Sequence, residues 1–298
     1  MMNELKSIRV DDILYSYYEC GEGPLVVCLH GFPDHPLSFK GVVNDLVAAG
    51  FRVVVPYMKG YLPTCAPENS SYQSAALSVD VAALLEALSP GESCYVFGHD
   101  WGAIAAYGAA LISNKKIKKL IVASVPYGLN FASGLVNDFD QIKRSFYIWF
   151  FQTQMAEESV SANNYDFIRR LWKEWSPDFT LSESCLNELC EMFSKDGVVK
   201  SALSYYKHTF TQSLHLPEHR ELQSAIFIDP ILVPTLIIYG EKDTCIGIEY
   251  LDGMEESFPL GLSKIIIKGA GHFVHAENPR NVAREICNFI NKPVSLSV

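Results

Sequence analysis

Three residues of this 298-residue chain have the types and the order that nucleophilic hydrolysis needs: Asp100, Asp243 and His272. Asp100 is the middle of Gly98-His99-Asp100-Trp101-Gly102, with the apolar run Ser93-Cys94-Tyr95-Val96-Phe97 before it and a helix-forming run to Leu111 after it. A strand that turns through glycine, x, nucleophile, x, glycine into a helix pushes its central residue out at the top of the strand, beside helix N-terminal amides. A carboxylate of this type ordinarily titrates near ~3.9, so it is a nucleophile at neutral pH without help from a base. Its attack on an amide or ester would give a labile anhydride. Attack on an sp3 carbon bearing a leaving group, as in an epoxide or alkyl halide, gives an ordinary ester, and water must then cleave that ester with a base. Taken alone, the pentapeptide also reads as a helix N-cap aspartate between two structural glycines.

The base and its partner stand later in the chain. Gly240-Glu241-Lys242-Asp243 and Gly269-Ala270-Gly271-His272-Phe273 each follow a short apolar run. Each therefore places a polar residue just past the carboxyl end of a strand, where α/β sheets build sites. In this reading Asp243 accepts from one ring nitrogen of His272 and fixes its tautomer, and the other nitrogen takes a proton from the attacking water. His275 lies close by, but the glycine-x-glycine-histidine turn favours His272. The tetrapeptide His30-Gly31-Phe32-Pro33 ends another apolar run, Leu25 to Leu29, and its Phe32-Pro33 bond is a candidate for the cis form. The backbone N–H groups of Phe32 and Trp101 are the expected oxyanion donors.

The elements that must hold these residues alternate. Strands are predicted at Leu5–Val10, Ile13–Glu19, Leu25–Leu29, Phe51–Val55 and Ser93–Phe97, then at Lys119–Val125, Pro234–Gly240 and Ser263–Lys268. Helices are predicted from a Ser38 cap to Ala49, from Tyr72 to Leu88 with Ala76, Val79, Ala83 and Leu84 inward, and from an Asn278 cap with Pro279 in the first turn. Alternation of this kind argues a mostly parallel sheet with helices on both faces. Between Pro126 and Ile231 the rhythm stops, and helical stretches dense in aromatics take its place. The expected organisation is a core of residues 1–126 and 230–298 with a helical insertion at 127–229.

Composition narrows the partners. The formal charge of −10 argues against nucleic acid or an anionic membrane, and 49% hydrophobic with 19% charged residues is the profile of a folded chain. No apolar run approaches membrane-spanning length, and the start lacks the apolar core of a signal peptide. Eight scattered cysteines without a CxxC pair read as reduced thiols in a cytoplasmic protein, with neither a disulfide framework nor a zinc site. No metal or organic cofactor is expected, and monomer or homodimer both remain open.

Taken together, these motifs resemble the soluble epoxide hydrolase branch of the α/β-hydrolase superfamily, over nearly the whole chain. The resemblance implies an α/β-hydrolase fold with a cap, and a small apolar epoxide and water as partners. It also implies two cap tyrosines that donate to the epoxide oxygen. Ser145-Phe146-Tyr147-Ile148-Trp149 resembles the segment of the first, making Tyr147 the match. Ser204-Tyr205-Tyr206-Lys207 resembles the second, with Tyr206 the match and Tyr205 a competitor; Trp149, Tyr205 and Phe273 are assigned to substrate binding. Haloalkane dehalogenases share the aspartate elbow, and Trp101 with a lid tryptophan (Trp149, Trp172 or Trp175) would hold the halide there. Fluoroacetate dehalogenase fits less well, since arginine follows its nucleophile. A non-catalytic ligand-binding relative is a third reading. The chain departs from the family at Tyr57-Met58-Lys59-Gly60-Tyr61, where Asp-x-Arg-Gly-Tyr is frequent.

Overall fold

Every residue of Leu25–Leu29 (β3) is buried, and its side chains divide between the two faces of one sheet. Val26 and Cys28 join a cluster with Phe39, Val42, Leu46, Val282 and Ile286, while Leu25, Val27 and Leu29 face the opposite cluster. A strand covered on both sides by helices must be apolar throughout, which is why it shows no alternation. The computed structural model describes residue 2 and residues 4–293.

The other strands are β1 (Leu5–Val10), β2 (Ile13–Cys20), β4 (Arg52–Pro56), β5 (Cys94–His99), β6 (Ile117–Ala123), β7 (Thr235–Gly240) and β8 (Leu262–Ile267). They form one eight-stranded sheet in the order β1-β2-β4-β3-β5-β6-β7-β8. Pairing is antiparallel at β1–β2 and β2–β4 and parallel from there on. Helices α1 (Lys40–Ala48) and α12 (Pro279–Asn291) cover one face, and α2 (Ser74–Leu88) and α3 (Trp101–Ile112) cover the other. The chain belongs to the expected α/β class, with β3, β5, β7 and β8 all delivering their carboxyl ends to one edge.

Between β6 and β7 the described residues form helices only: α4 (Leu129–Asn137), α5 (Phe139–Arg144), α6 (Phe146–Phe150), α7 (Ala156–Trp175), α8 (Glu183–Phe193), α9 (Val198–Phe210) and α10 (Arg220–Ala225). These make the cap. Helix α7 is two pieces in one, broken where Asn163, Asn164 and Tyr165 take φ of 50, 54 and 61°. None of the described helices is long and apolar enough to cross a membrane.

Several boundaries differ from the sequence reading. Helix α1 starts at Lys40, because Pro36–Phe39 forms a tight 3-10 turn and the Ser38 hydroxyl bonds Asp34 Oδ2 and the His35 carbonyl instead of capping. Helix α2 starts at Ser74, since Gln73 is extended and the Tyr72 amide donates to His208 Nδ1. Ala76 and Leu84 are buried as expected, together with Leu77, Val81 and Leu85, whereas Val79 is exposed and Ala83 half-buried. Strand β6 runs two residues earlier than expected. Asn278 does occupy the position before α12 but makes no side-chain cap, and a short α11 (Val274–Glu277) precedes it. The Phe32-Pro33 bond is cis, as is Leu62-Pro63.

Candidate active site

The turn after β5 is as tight as its glycines suggest. Asp100 has φ 51° and ψ −122°, a conformation that costs a non-glycine residue about 1–3 kcal/mol. A Cβ on Gly98 would lie 2.4 Å from the Gly102 carbonyl oxygen, and one on Gly102 would lie 2.2 Å from that of Leu29. Both glycines are therefore obligatory where α3 doubles back over the sheet. Gly31 is equally constrained, because its Cβ would fall 2.2 Å from Asp100 Oδ1.

The loop after β3 is fixed from behind. His30 accepts the Met58 amide at Nε2 (3.0 Å), so its Nδ1–H donates to the Gly31 carbonyl (3.0 Å). Burial pushes its pKa down to about 4, so it stays neutral in this role. The loop so held presents the Phe32 amide, which donates to Asp100 Oδ1 at 2.7 Å. The Trp101 amide borders the same space beside Gly31 but makes no bond to the carboxylate among the described residues. Oδ2 of Asp100 is left facing His272 Nε2 at 3.6 Å. The two oxygens of Asp100 are thus unequal: one is held, one is free.

His272 Nδ1 donates to Asp243 Oδ2 at 2.8 Å, and Asp243 Oδ1 accepts from the amides of Cys245 (2.8 Å) and Ile246 (3.1 Å). Burial opposes charge on the imidazole, but Asp243 and Asp100 outweigh it and raise its pKa to about 10. The backbone of His272 is pinned as well. Its carbonyl accepts from Ser124 Oγ (2.6 Å) and His99 Nε2 (2.9 Å), and its amide donates to the Trp175 carbonyl (3.0 Å). His275, the competitor three residues on, turns away to Asp34 Oδ2 at 3.1 Å.

Asp100, Trp101, Tyr147 and Tyr206 line one cavity of about 190 Å3 under the cap. Both tyrosines are buried, and burial followed by nearby charge holds both phenols well above their usual pKa, so each keeps its proton. Tyr147 reaches Cys245 Sγ at 3.3 Å, whereas the Tyr206 hydroxyl has no partner among the described residues. Tyr205, the competitor, is placed differently: its hydroxyl donates to the Lys59 carbonyl at 2.7 Å and it does not line the cavity.

Three residues expected to bind substrate, Trp149, Tyr205 and Phe273, do not line this cavity. Trp149 is 45% exposed and packs on Phe210. Tyr205 serves the contact to Lys59. Phe273 is fully buried and stacks on Trp172 with centroids 3.5 Å apart, outside the cavity wall. The halide-binding reading loses support for a related reason. Trp172 spends its indole N–H on the Pro33 carbonyl at 2.6 Å, and Trp149 points outward. Neither Trp172 nor Trp175 lines the cavity.

The departure at 57–61 is structural. Lys59 is buried against Asp80 at 2.8 Å while its carbonyl receives Tyr205, so the loop ties α9 of the cap to the core. Sequence reasoning missed Ser124 and Asp34. Asp34 is fully buried and shares Oδ2 with Ser38 and His275, and His99 Nδ1 lies 3.9 Å from the same oxygen. Asp34, His99 and His275 are a group among the described residues whose ligand atoms lie close enough for a metal ion. Their bonds to Ser38, to the His35 amide and to the His272 carbonyl already tie them to the segment that carries His272. An aspartate three residues past the His30-Gly31 turn carries no periodic signal that would have revealed it.

A sheet of this order, an aspartate on a strained turn after β5, and an aspartate and histidine after later strands define an α/β-hydrolase. The chain belongs to that family: the alpha/beta hydrolase fold family model matches residues 24–279. It is 25% identical to human epoxide hydrolase 4, over 96% of this chain and 78% of that one. Among solved structures it is similar to an epoxide hydrolase from Bacillus megaterium in complex with an inhibitor, at 27% identity, TM-score 0.83, and 96% and 100% coverage. An epoxide hydrolase from Vigna radiata aligns at 27% identity and TM-score 0.80, over 97% of this chain and 98% of that one.

Proposed function

We propose that this protein hydrolyses epoxides to vicinal diols through a covalent ester on Asp100. The observation that carries the reading is that two protonated phenols, Tyr147 and Tyr206, share one cavity with the free oxygen of the Asp100 carboxylate. An epoxide asks for that pairing, with a nucleophile for carbon and a proton donor for oxygen.

In the first step Asp100 Oδ2 attacks an epoxide carbon, and the C–O bond breaks toward the tyrosines. The oxygen takes a phenol proton, which His272 replaces. The product is a hydroxyalkyl ester and a neutral imidazole. Loss of the Asp100 charge favours that neutral form, because that charge is part of what holds the His272 pKa up. In the second step water attacks Cγ of the ester while His272 Nε2 takes its proton. The negative charge that develops on Oδ1 meets the Phe32 amide and the neighbouring Trp101 amide; one such donor is typically worth about 3 kcal/mol. Collapse expels the diol oxygen, which recovers its proton from the new Asp100 carboxylic acid. Epoxide and water have become diol, and Asp100 and His272 are restored. Residues 127–229 serve as the cap that closes the site, and the cavity lies among mostly apolar side chains. No cofactor takes part in this scheme.

A parallel turnover assay with styrene oxide and 1-bromobutane tests the reading. Diol without bromide is expected. Bromide without diol would reduce Tyr147 and Tyr206 to packing residues, and silence on both, with a ligand-induced melting shift, would favour a binding protein.

A further inference from the structure

The cavity wall carries three polar side chains that the proposed chemistry does not use: Ser74 at the start of α2, Thr209 near the end of α9, and Gln223 in α10. Thr209 lies three residues past Tyr206 on the same helix, roughly 4.5 Å along its axis. Thr209, and Ser74 bonded to it, are therefore about one helical turn from Tyr206, and Gln223 lines the same cavity. In an otherwise apolar cavity their hydrogen-bond accounts do not close.

Ser74 Oγ and Thr209 Oγ1 are 3.1 Å apart and have no other side-chain partner among the described residues. Two hydroxyls that share one hydrogen bond leave one O–H without an acceptor. Gln223 is oriented by its surroundings. Its Oε1 accepts the Ala75 amide at 3.0 Å and Gln73 Nε2 at 3.3 Å, two donors that require the oxygen on that side. The Gln223 amide nitrogen is then left with no acceptor among the described residues. The unpaired donors in this patch are one hydroxyl O–H and the Gln223 amide N–H groups, while the Gln223 oxygen is already used and only hydroxyl lone pairs are left to accept. No lysine, arginine or histidine lines the cavity, and its one charged group is the Asp100 carboxylate, which repels anions.

We propose that Ser74, Thr209 and Gln223 form a specificity subsite for a neutral hydrogen-bond acceptor, a carbonyl or ether oxygen, carried by the epoxide substrate a few bonds from its ring. The inference rests on the epoxide hydrolase reading and refines it: the substrate is not wholly apolar. Ser74 is buried and Thr209 and Gln223 are half-buried, so a bound substrate that cuts their donors off from water without supplying an acceptor costs free energy, and the subsite discriminates against an analogue that lacks it.

The test uses a short series of epoxy methyl ketones differing in the number of methylenes between ring and carbonyl. Each is compared with the epoxyalkane of equal length and with the matching epoxy carboxylate. For the best-fitting ketone, kcat/KM is expected to exceed that of the alkane by about tenfold, the size of one or two neutral hydrogen bonds, with the carboxylate below both. The ratio should fall to within about twofold in S74A/T209V. It should also fall in Q223E, which keeps an oxygen for Ala75 and Gln73 but removes the free donors. A general loss of structure would lower both activities and leave the ratio unchanged. Equal turnover of ketone and alkane by the wild type would overturn the subsite while leaving the epoxide reading intact. Should no epoxide turn over, calorimetric binding of the same pairs to D100N decides, with equal affinities counting against the subsite.

Discussion

Tyr147 and Cys245 meet at 3.3 Å, hydroxyl to sulfur, whereas the Tyr206 hydroxyl has no well-formed hydrogen bond among the described residues and only the Trp101 indole beside it. The two phenols therefore enter the reaction from different states. Tyr147 must exchange a weak partner for the epoxide oxygen, whereas Tyr206 gains its first well-formed hydrogen bond. A buried hydroxyl without a partner costs about 1–3 kcal/mol. Tyr206→Phe is accordingly expected to raise thermal stability by about 1 kcal/mol while cutting the rate of ester formation by about 10²-fold. Tyr147→Phe should cut the rate comparably without the gain in stability. Melting curves and stopped-flow alkylation measure both, and a Tyr206→Phe protein that is both less stable and fully active would contradict the assignment.

Tyr205 gives the complementary expectation. Its hydroxyl holds the Lys59 carbonyl, a link between cap and core. Tyr205→Phe should cost about 1 kcal/mol of stability and change kcat by only a few-fold. If instead it abolishes turnover while Tyr206→Phe is tolerated, the second donor has been misplaced by one residue.

Because His272 is raised from 6.5 to about 10 in the folded protein, its charged form is favoured by folding. That contribution is complete below pH 6.5 and is lost as the pH rises through about 10. The stability advantage of wild type over His272→Gln should therefore shrink across that window. The same pair of carboxylates predicts that Asp100→Asn lowers the imidazole pKa, readable by NMR titration, as formation of the ester does in the proposed cycle. An imidazole that titrates identically in both proteins would remove Asp100 as a support of the charge.

Gly31 tests the geometry of the held oxygen. A methyl group there would meet Asp100 Oδ1 at 2.2 Å and the Trp101 nitrogen at 2.6 Å, and both are fixed parts of the elbow. Gly31→Ala should lose at least about 10²-fold in kcat, since small displacements of a reacting group are costly, and destabilise the fold by about 1–3 kcal/mol. Assays of ester formation and chemical denaturation give the two numbers.

What the sequence made legible follows from where its signals lie. Asp100 and Asp243 follow the fully buried strands β5 and β7, and His272 follows the half-buried edge strand β8, so local patterning placed all three at one edge of the sheet. The cap offered no such guide. Its aromatics recur with helical spacing, but which face of α6 or α9 meets the cavity depends on how the helices pack. Trp149 and Tyr147 are two residues apart and point to solvent and site respectively. The break in α7 has no glycine or proline to announce it. Ser124 and Asp34 act through the backbone of His272 and through buried histidines, contacts that join segments more than a hundred residues apart.

The central claim is a covalent ester on Asp100, and intact-mass analysis of His272→Gln after incubation with styrene oxide tests it most directly. The account predicts a stable increase equal to the mass of the epoxide, mapped to the peptide containing Asp100, with little diol released. Normal diol formation by this variant, or an adduct confined to another residue, would contradict it.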